Sequence, residues 1–249
     1  MKVQFRNSEN KKIIGIMNIV DKKSPQITII IHGYSSNKDG GSKITADLLK
    51  KNKINNITID LDNMGESEPE FEDMTITRYA ETIYSAVKYC RDKGFTKINI
   101  IGTSTGGLSA MAFAIKHPII NTLILRSASA SDAEWFKNYV GGDEGLAEWK
   151  NKGYIIYLSP KGPKKIKYSY YKDALRYDMC KKAKEIKIPT LMIHGTKDSI
   201  VPIETALKLK KNFPKAKLVT IKGADHSLGI EGDYSQSQKL IVDWIKRHN

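Results

Sequence analysis

The chain has 249 residues, 40% hydrophobic and 27% charged, which is the composition of a globular protein able to bury one large core. No apolar run approaches the ~18 residues that a membrane-spanning helix needs, so we expect no membrane partner. The net charge of +14 comes from scattered lysines with only six arginines, so we interpret it as surface solvation and do not expect nucleic acid as a partner.

The N-terminal stretch 1–10 is polar, and no small-residue cleavage site follows it, so we expect no signal peptide. Cys90 and Cys180 lack the spacing of a disulfide or metal motif, and we interpret them as free thiols. A cytoplasmic location is therefore the default expectation.

Strands alternate with helices along most of the chain, which favours a mostly parallel sheet covered by helices on both faces. The first two strands are expected to form an antiparallel pair at a sheet edge. The predicted strands are 3–5, 13–20, 27–31, 57–61, 98–101, 123–125, 189–193 and 217–222. The predicted helices are 42–51, 75–93, 104–116, 202–212 and 236–247.

The segment between about 129 and 180 breaks this alternation, and we interpret it as a cap inserted into a single domain spanning 1–249. It is predicted to hold a helix through Trp135 and Tyr139, then a β-hairpin formed by 154–158 and 165–171. Nine of the 21 aromatic residues lie between 129 and 171, which suits a pocket roof where Trp135 and Tyr139 contact substrate. The same aromatic density could equally serve to pack a small cap onto the body.

The organising motif is Gly102-Thr-Ser-Thr-Gly106, which lies between a buried strand and the start of a helix. G-x-S-x-G in this context is the nucleophile elbow, a tight turn that holds Ser104 in a strained conformation with its hydroxyl exposed. We expect glycine to be required at 102 and 106, because a side chain there would collide with a neighbouring strand or helix. The N–H of Thr105 would then lie at a helix N-terminus, where an oxyanion can bind.

A second oxyanion donor is expected where strand 27–31 ends in His32-Gly33-Tyr34. The donor would be the N–H of Tyr34, with Gly33 beside the substrate. His-Gly alone is also typical of an ordinary strand-to-loop turn, but its position before the elbow strand favours the functional interpretation.

A serine hydroxyl needs a general base, and that base needs a carboxylate to orient it. In the chain order serine, acid, histidine, the candidates after Ser104 are Asp198 and His226, each in a loop that follows a predicted parallel strand. Four histidines that end strands or helices, or lie in the tail, fit less well: His32, His117, His194 and His248. Three aspartates that adjoin His226 or precede the elbow also fit less well: Asp60, Asp62 and Asp225.

Four motifs together resemble the α/β-hydrolase superfamily: His32-Gly-Tyr-Ser-Ser36, Gly102-Thr-Ser-Thr-Gly-Gly107, His194-Gly-Thr-Lys-Asp-Ser-Ile-Val-Pro202 and Gly223-Ala-Asp-His-Ser227. Within it the chain is similar to the esterase/lipase branch, which includes cinnamoyl and feruloyl esterases, monoacylglycerol lipases and serine aminopeptidase S33-like proteins. The resemblance implies an α/β-hydrolase fold with about eight strands. The implied roles are Ser104 as nucleophile, His226 as base, Asp198 as its orienter, and Tyr34 and Thr105 N–H as oxyanion hole. One departure is Asn63-Met64, where such proteins often have Gly-His.

These observations predict a serine carboxylesterase for small to medium esters, aryl and hydroxycinnamoyl esters among them, that needs no metal or cofactor. An aminopeptidase, thioesterase or acyltransferase could use the same triad, and a small-molecule receptor could use the same fold. An aminopeptidase would need carboxylates in the cap, for which the candidates are Asp132, Glu134, Asp143, Glu144 and Glu148.

Overall fold

The computed structural model describes residues 1–62, 64–67, 71–159 and 162–248. Its strands are β1 (Lys2–Arg6), β2 (Lys12–Asn18), β3 (Gln26–Ile31), β4 (Asn56–Ile59), β5 (Lys97–Thr103), β6 (Thr122–Arg126), β7 (Tyr154–Ser159), β8 (Gly162–Lys167), β9 (Thr190–Gly195) and β10 (Ala216–Ile221). Its helices are α1 (Gly41–Lys51), α2 (Ile76–Asp92), α3 (Thr105–Lys116), α4 (Asp132–Tyr139), α5 (Asp143–Lys152), α6 (Tyr168–Ala174), α7 (Met179–Lys182), α8 (Ile203–Lys211) and α9 (Ser235–Arg247). Short 3-10 helices cover Phe71–Asp73 and Ala183–Glu185.

Eight strands form one sheet in the order β1-β2-β4-β3-β5-β6-β9-β10. The pairs β1–β2 and β2–β4 are antiparallel. The other six strands of this sheet run parallel to one another: β4, β3, β5, β6, β9 and β10. The predicted α/β-hydrolase fold, with about eight mostly parallel strands, is confirmed. Because the parallel strands end at one edge, the loops after β3, β5, β9 and β10 lie together there.

The central strands are buried along their length because helices cover both faces of the sheet. All six residues of β3 are buried, as a continuous β-branched run predicts. One apolar core contains α2 and α3, and a second contains residues of α1 and α9. The sheet therefore separates two cores, and its carboxyl edge lies between them.

The sequence misassigned part of the 129–180 segment. The second hairpin strand was predicted to run to residue 171, but β8 ends at Lys167 and α6 begins at Tyr168. Tyr170, Tyr171 and Ala174 are buried with helical spacing, and this packing overrides the alternation that favoured a strand. Helix α5 was not predicted, although Leu146 and Trp149 are its buried residues and lie one turn apart.

Two predicted loops lie partly outside the described residues. The loop at 62–69 includes Asn63, Glu68 and Pro69, and the hairpin turn at 159–163 includes Pro160 and Lys161. Within the described ranges, no helix combines the length and apolar character that crossing a bilayer requires.

Asp62, set aside as a catalytic residue, is a buried carboxylate beneath the sheet edge. Its oxygens accept hydrogen bonds from Thr82 Oγ1 and from Asn7 Nδ2, the latter at 2.9 and 3.2 Å. Burial raises the pKa of Asp62 to about 6 despite these bonds. The folded protein therefore holds a proton between about pH 4 and pH 6 that the unfolded chain releases, so this group's stabilisation is lost as pH rises through that window.

We expect Asp62→Asn to gain stability relative to the wild type as pH rises from 4 to 7. The free energy of unfolding of the variant minus that of the wild type should rise by ~2–3 kcal/mol, from two pKa units at about 1.4 kcal/mol each. Urea unfolding at both pH values measures it, with Asp92→Asn, an exposed carboxylate on α2, as control. A difference that does not depend on pH would show that Asp62 ionises normally in the folded protein.

Candidate active site

Ser104 lies in the turn between β5 and α3, with φ of 54° and ψ of −125°, a backbone conformation that side chains rarely adopt. A Cβ on Gly102 would lie 2.7 Å from the Gly106 carbonyl oxygen, and one on Gly106 would lie 2.2 Å from the His32 carbonyl oxygen. Both glycines are therefore required, as predicted, because α3 presses directly onto the ends of β5 and β3. The turn is held by a hydrogen bond from Ser104 N–H to the Arg126 carbonyl oxygen, 3.0 Å long.

Asp198 and His226 come together across two loops. Asp198 follows β9 and His226 follows β10, and His226 Nδ1 lies 2.8 Å from Asp198 Oδ2 and 3.0 Å from Oδ1. Because a carboxylate accepts hydrogen bonds, this contact places the proton on Nδ1 and leaves Nε2 as the basic nitrogen. The sequence-predicted pair therefore has the geometry of an oriented general base.

The Asp198 carboxylate accepts hydrogen bonds from other groups in addition to His226. Its Oδ1 accepts the N–H groups of Ile200 and Val201 at 3.0 and 2.9 Å. Burial alone would raise the pKa of Asp198, but hydrogen bonds from His194, His226 and Val201 N–H hold it well below its usual value. Asp198 is therefore a fixed negative charge throughout the neutral pH range.

His194 is a neighbour whose role the sequence missed. It was expected to hydrogen-bond locally, and its Nε2 does lie 2.7 Å from the Val201 carbonyl oxygen. The same Nε2 also lies 3.2 Å from Asp198 Oδ2. The available signal was their closeness in sequence, since His194 lies at the end of β9 and Asp198 follows four residues later.

Ser104 and His226 line one cavity of about 340 Å³. Within the described chain, Ser104 Oγ makes no hydrogen bond, and His226 reaches only Asp198. Catalytic hydrogen bonds are often long without substrate and tighten in its complex, so this arrangement is compatible with a serine–histidine pair.

The two expected oxyanion donors flank Ser104. Thr105 is the first residue of α3, so its N–H lies at the positive end of the helix dipole. The loop that carries Tyr34 lies against the nucleophile, since a Cβ on Gly33 would be 3.1 Å from Ser104 Cβ. The backbone of both segments is therefore next to the serine.

An ion-pair cluster, which the sequence did not predict, fixes the loop that carries Tyr34. The Lys38 side chain is 4% exposed and lies 3.1 Å from Asp60 and 2.5 Å from Glu66. The Lys38 N–H also donates to Asp60 Oδ1 at 2.7 Å. Burial alone would lower the pKa of Lys38, but its three carboxylate partners raise it above its usual value. The cluster therefore anchors the 33–38 loop to the segment after β4.

Four aromatic side chains line the cavity: Tyr34, Trp135, Phe136 and Tyr157. Trp135 is on the wall as predicted, whereas Phe136 and Tyr157 were not singled out from the aromatic-rich segment. Tyr139 is not among the lining residues; it stacks on Trp135 with ring centroids 5.3 Å apart. Gly33 lines a second, adjoining cavity.

Asp132 connects the predicted cap to the elbow. Its Oδ2 accepts Thr105 Oγ1 at 3.0 Å and Tyr170 OH at 2.5 Å, and burial raises its pKa. Of the five carboxylates proposed for an aminopeptidase, Asp132 alone lines the cavity, so far as the described residues show. Across these same residues, no group of three or more histidine, cysteine, aspartate or glutamate side chains is placed to hold a metal ion.

We expect Lys38→Met to lower kcat by about 10- to 100-fold on any ester that the protein cleaves, because the Tyr34 N–H loses its anchor. Loss of one oxyanion donor costs about 10²–10³ in rate, which sets the upper bound. Lys2→Met is the matched control, since Lys2 is exposed and pairs with the same Glu66 at 2.6 Å without touching the loop. Circular dichroism must show that both variants are folded, and equal kcat values would contradict the anchoring role.

Comparisons with known proteins agree with this architecture. A family model described as the prolyl oligopeptidase family matches residues 63–249. Palmitoyl-protein thioesterase ABHD10 of Bos taurus, named as mitochondrial, is 26% identical over 231 residues, which cover 90% of this chain and 74% of that protein. Lipase 1 of Psychrobacter immobilis is 24% identical over 228 residues, which cover 80% of this chain and 70% of the lipase.

Solved structures show the same fold. Est1E of Butyrivibrio proteoclasticus with ferulic acid bound superposes with a TM-score of 0.85 at 22% identity, covering 99% of this chain and 98% of that one. Mouse ABHD10 superposes with a TM-score of 0.83 at 22% identity over the full length of both chains. With a family model that matches three-quarters of its length, the chain belongs to the prolyl oligopeptidase family and has the α/β-hydrolase fold.

Proposed function

We propose that the chain is a serine hydrolase that cleaves carboxylic esters through an acyl-enzyme on Ser104. The observation that carries the proposal is the shared cavity, in which the elbow serine and a histidine oriented by Asp198 face the same space. Relatives named as lipase, esterase and thioesterase support hydrolysis of ester substrates in general.

In this mechanism His226 Nε2 takes the proton of Ser104 Oγ as the oxygen attacks the ester carbonyl carbon. The N–H groups of Tyr34 and Thr105 stabilise the negative oxygen of the tetrahedral intermediate. His226 then gives the proton to the departing alkoxide, and the acyl group stays on Ser104. Water, deprotonated by the same nitrogen, attacks the acyl-enzyme and releases the acid.

The aromatic cavity favours an acyl group with a flat apolar part. The Trp135, Phe136 and Tyr157 rings lie within about 6 Å of one another, centroid to centroid, in edge-to-face geometry. A planar aryl or hydroxycinnamoyl group can add to such an arrangement at little entropic cost. The ferulic acid bound to Est1E supports the same substrate class.

An aminopeptidase is less well supported. A free substrate N-terminus is a cation, and in the described part of the cavity wall the only carboxylate is Asp132. Two hydroxyl donors already occupy Asp132 Oδ2, so it is poorly placed to bind an ammonium group. A thioester could use the same site, as the name of ABHD10 indicates for that relative.

The proposed location is the cytoplasm, as the sequence predicts, although the ABHD10 relatives are named as mitochondrial. The proposed partner is a small-molecule ester alone.

We expect Ser104→Ala to abolish both fluorophosphonate labelling and hydrolysis of p-nitrophenyl esters from acetate to decanoate. Loss of the nucleophile costs about 10⁶ in kcat in enzymes of this kind. Ser109→Ala is the control and should still label, since Ser109 is a buried serine of α3 whose Oγ donates to the Thr105 carbonyl oxygen. A wild type that neither labels nor cleaves any ester would contradict the proposal and favour a small-molecule receptor.

The Trp135 ring should set the preference for aryl acyl groups. We expect Trp135→Ala to lower kcat/KM for a cinnamoyl ester by about tenfold relative to the acetyl ester, because it removes part of the aromatic wall. Tyr139→Ala, which removes the ring behind Trp135, should lower this ratio less. Steady-state kinetics on both esters measure the ratio, and an equal effect of the two variants would show that the cavity wall does not select the acyl group.

A further inference from the structure

A second cavity of about 160 Å³ adjoins the cavity that Ser104 lines. His226 and Ser36 line both cavities, so the two spaces meet at the base of the proposed triad. The second cavity is walled by the start of α1, the end of β6 and the start of α9. Its lining residues include the polar side chains of Ser42, Thr45, Tyr234 and Gln238.

Arg126, the last residue of β6, contributes a half-buried side chain to this wall, and its Nε atom is fully buried. Nη1 donates to Thr45 Oγ1 at 3.0 Å and Nη2 to the Ser227 carbonyl oxygen at 3.3 Å, both uncharged acceptors. Across residues 1–62, 64–67, 71–159 and 162–248, Arg126 forms no ion pair, and its buried Nε has no hydrogen-bond partner. A buried cation without a counter-charge is costly unless something anionic joins it.

The N-terminus of α1 faces the same cavity. Gly41 and Ser42 line it, and this 11-residue helix has no side-chain cap and no acidic residue in its described first turn. Free N–H groups at a helix N-terminus and the positive end of the dipole attract anions. No aspartate or glutamate is among the described residues that line the cavity.

We propose that this cavity binds an anionic group, a carboxylate or a phosphate, carried by the leaving alcohol of the substrate. The assignment of the leaving-group side rests on the proposed function. In that mechanism the ester C–O bond breaks as the Ser104 Oγ–carbon bond forms, and the Oγ proton passes through His226 Nε2 to the departing oxygen. The departing alcohol therefore lies beside His226, which also lines the cavity that contains Arg126.

The charge state of Arg126 suits this role. Burial lowers its pKa to about 10, so the guanidinium still carries its charge at neutral pH. Keeping that charge away from water costs free energy. A bound carboxylate or phosphate would supply the missing counter-charge and form charge-assisted hydrogen bonds with a planar donor.

Matched esters of benzoic acid test the proposal. The carboxylate arm compares benzoyloxyacetate with its neutral amide, benzoyloxyacetamide, and the phosphate arm compares 2-(benzoyloxy)ethyl phosphate with 2-(benzoyloxy)ethanol. We expect wild-type kcat/KM to favour one anionic ester about 10- to 100-fold over its neutral partner, the range for a hydrogen bond to a charged group. The arm with the larger ratio identifies the anion.

Arg126→Gln should bring that ratio close to one. Lys88→Gln removes an equal charge from an exposed position on α2, which packs in the other core, and should keep the wild-type ratio. Ser42→Asp, which places a negative charge at the start of α1 and suits a helix N-terminus, should reverse the preference even if Arg126→Gln fails to fold.

The inference is overturned if the wild type cleaves both members of each pair at equal rates, or if Arg126→Gln and Ser42→Asp leave the ratio unchanged. In either case, hydrolysis of the neutral esters leaves the proposed function intact. If the wild type cleaves none of the esters and does not label, the proposed function fails. Calorimetric titration with inorganic phosphate and with glycolate then decides: binding that both variants weaken at least tenfold supports an anion site, and no binding overturns it.

Discussion

The close approach of α3 to the ends of β5 and β3 is the constraint on which the rest of the site depends. A single added carbon at Gly106 would lie 2.2 Å from the His32 carbonyl oxygen, so the helix can sit there only because residue 106 has no side chain. This packing forces the positive φ of Ser104 and lifts its side chain out of the strand. It also brings the His32–Tyr34 segment against the serine, so the same contact positions the proposed nucleophile and the proposed oxyanion donors.

Buried charges around the sheet edge then hold other groups of the candidate site in place. Asp198 is held by His194, His226 and two backbone N–H groups. Asp60 holds Lys38, the last residue of the loop that carries Tyr34. Breaking one partner of such a pair leaves an uncompensated charge, which makes each cluster rigid. Arg126 differs from both because its partners are uncharged, and that difference is why it can serve a ligand.

Much of the fold and of the candidate site follows from local sequence signals. Strand β3 is predicted by its unbroken β-branched run. Ser104, Asp198 and His226 each follow a predicted strand with a glycine at or near its end. The positions that were missed depend on contacts that no local pattern encodes. Lys38 meets Asp60 and Glu66 from 22 and 28 residues away. Likewise, Tyr170 of α6 is buried and donates its hydroxyl to Asp132, 38 residues away.

The central claim is that the acyl group is transferred to Ser104. Mass spectrometry of the protein quenched within its first turnovers on a cinnamoyl ester tests this most directly. The account predicts an added cinnamoyl mass on the tryptic peptide 98–116, with fragment ions that place it on Ser104. Ester turnover with no adduct, or with an adduct on another residue, would contradict the account.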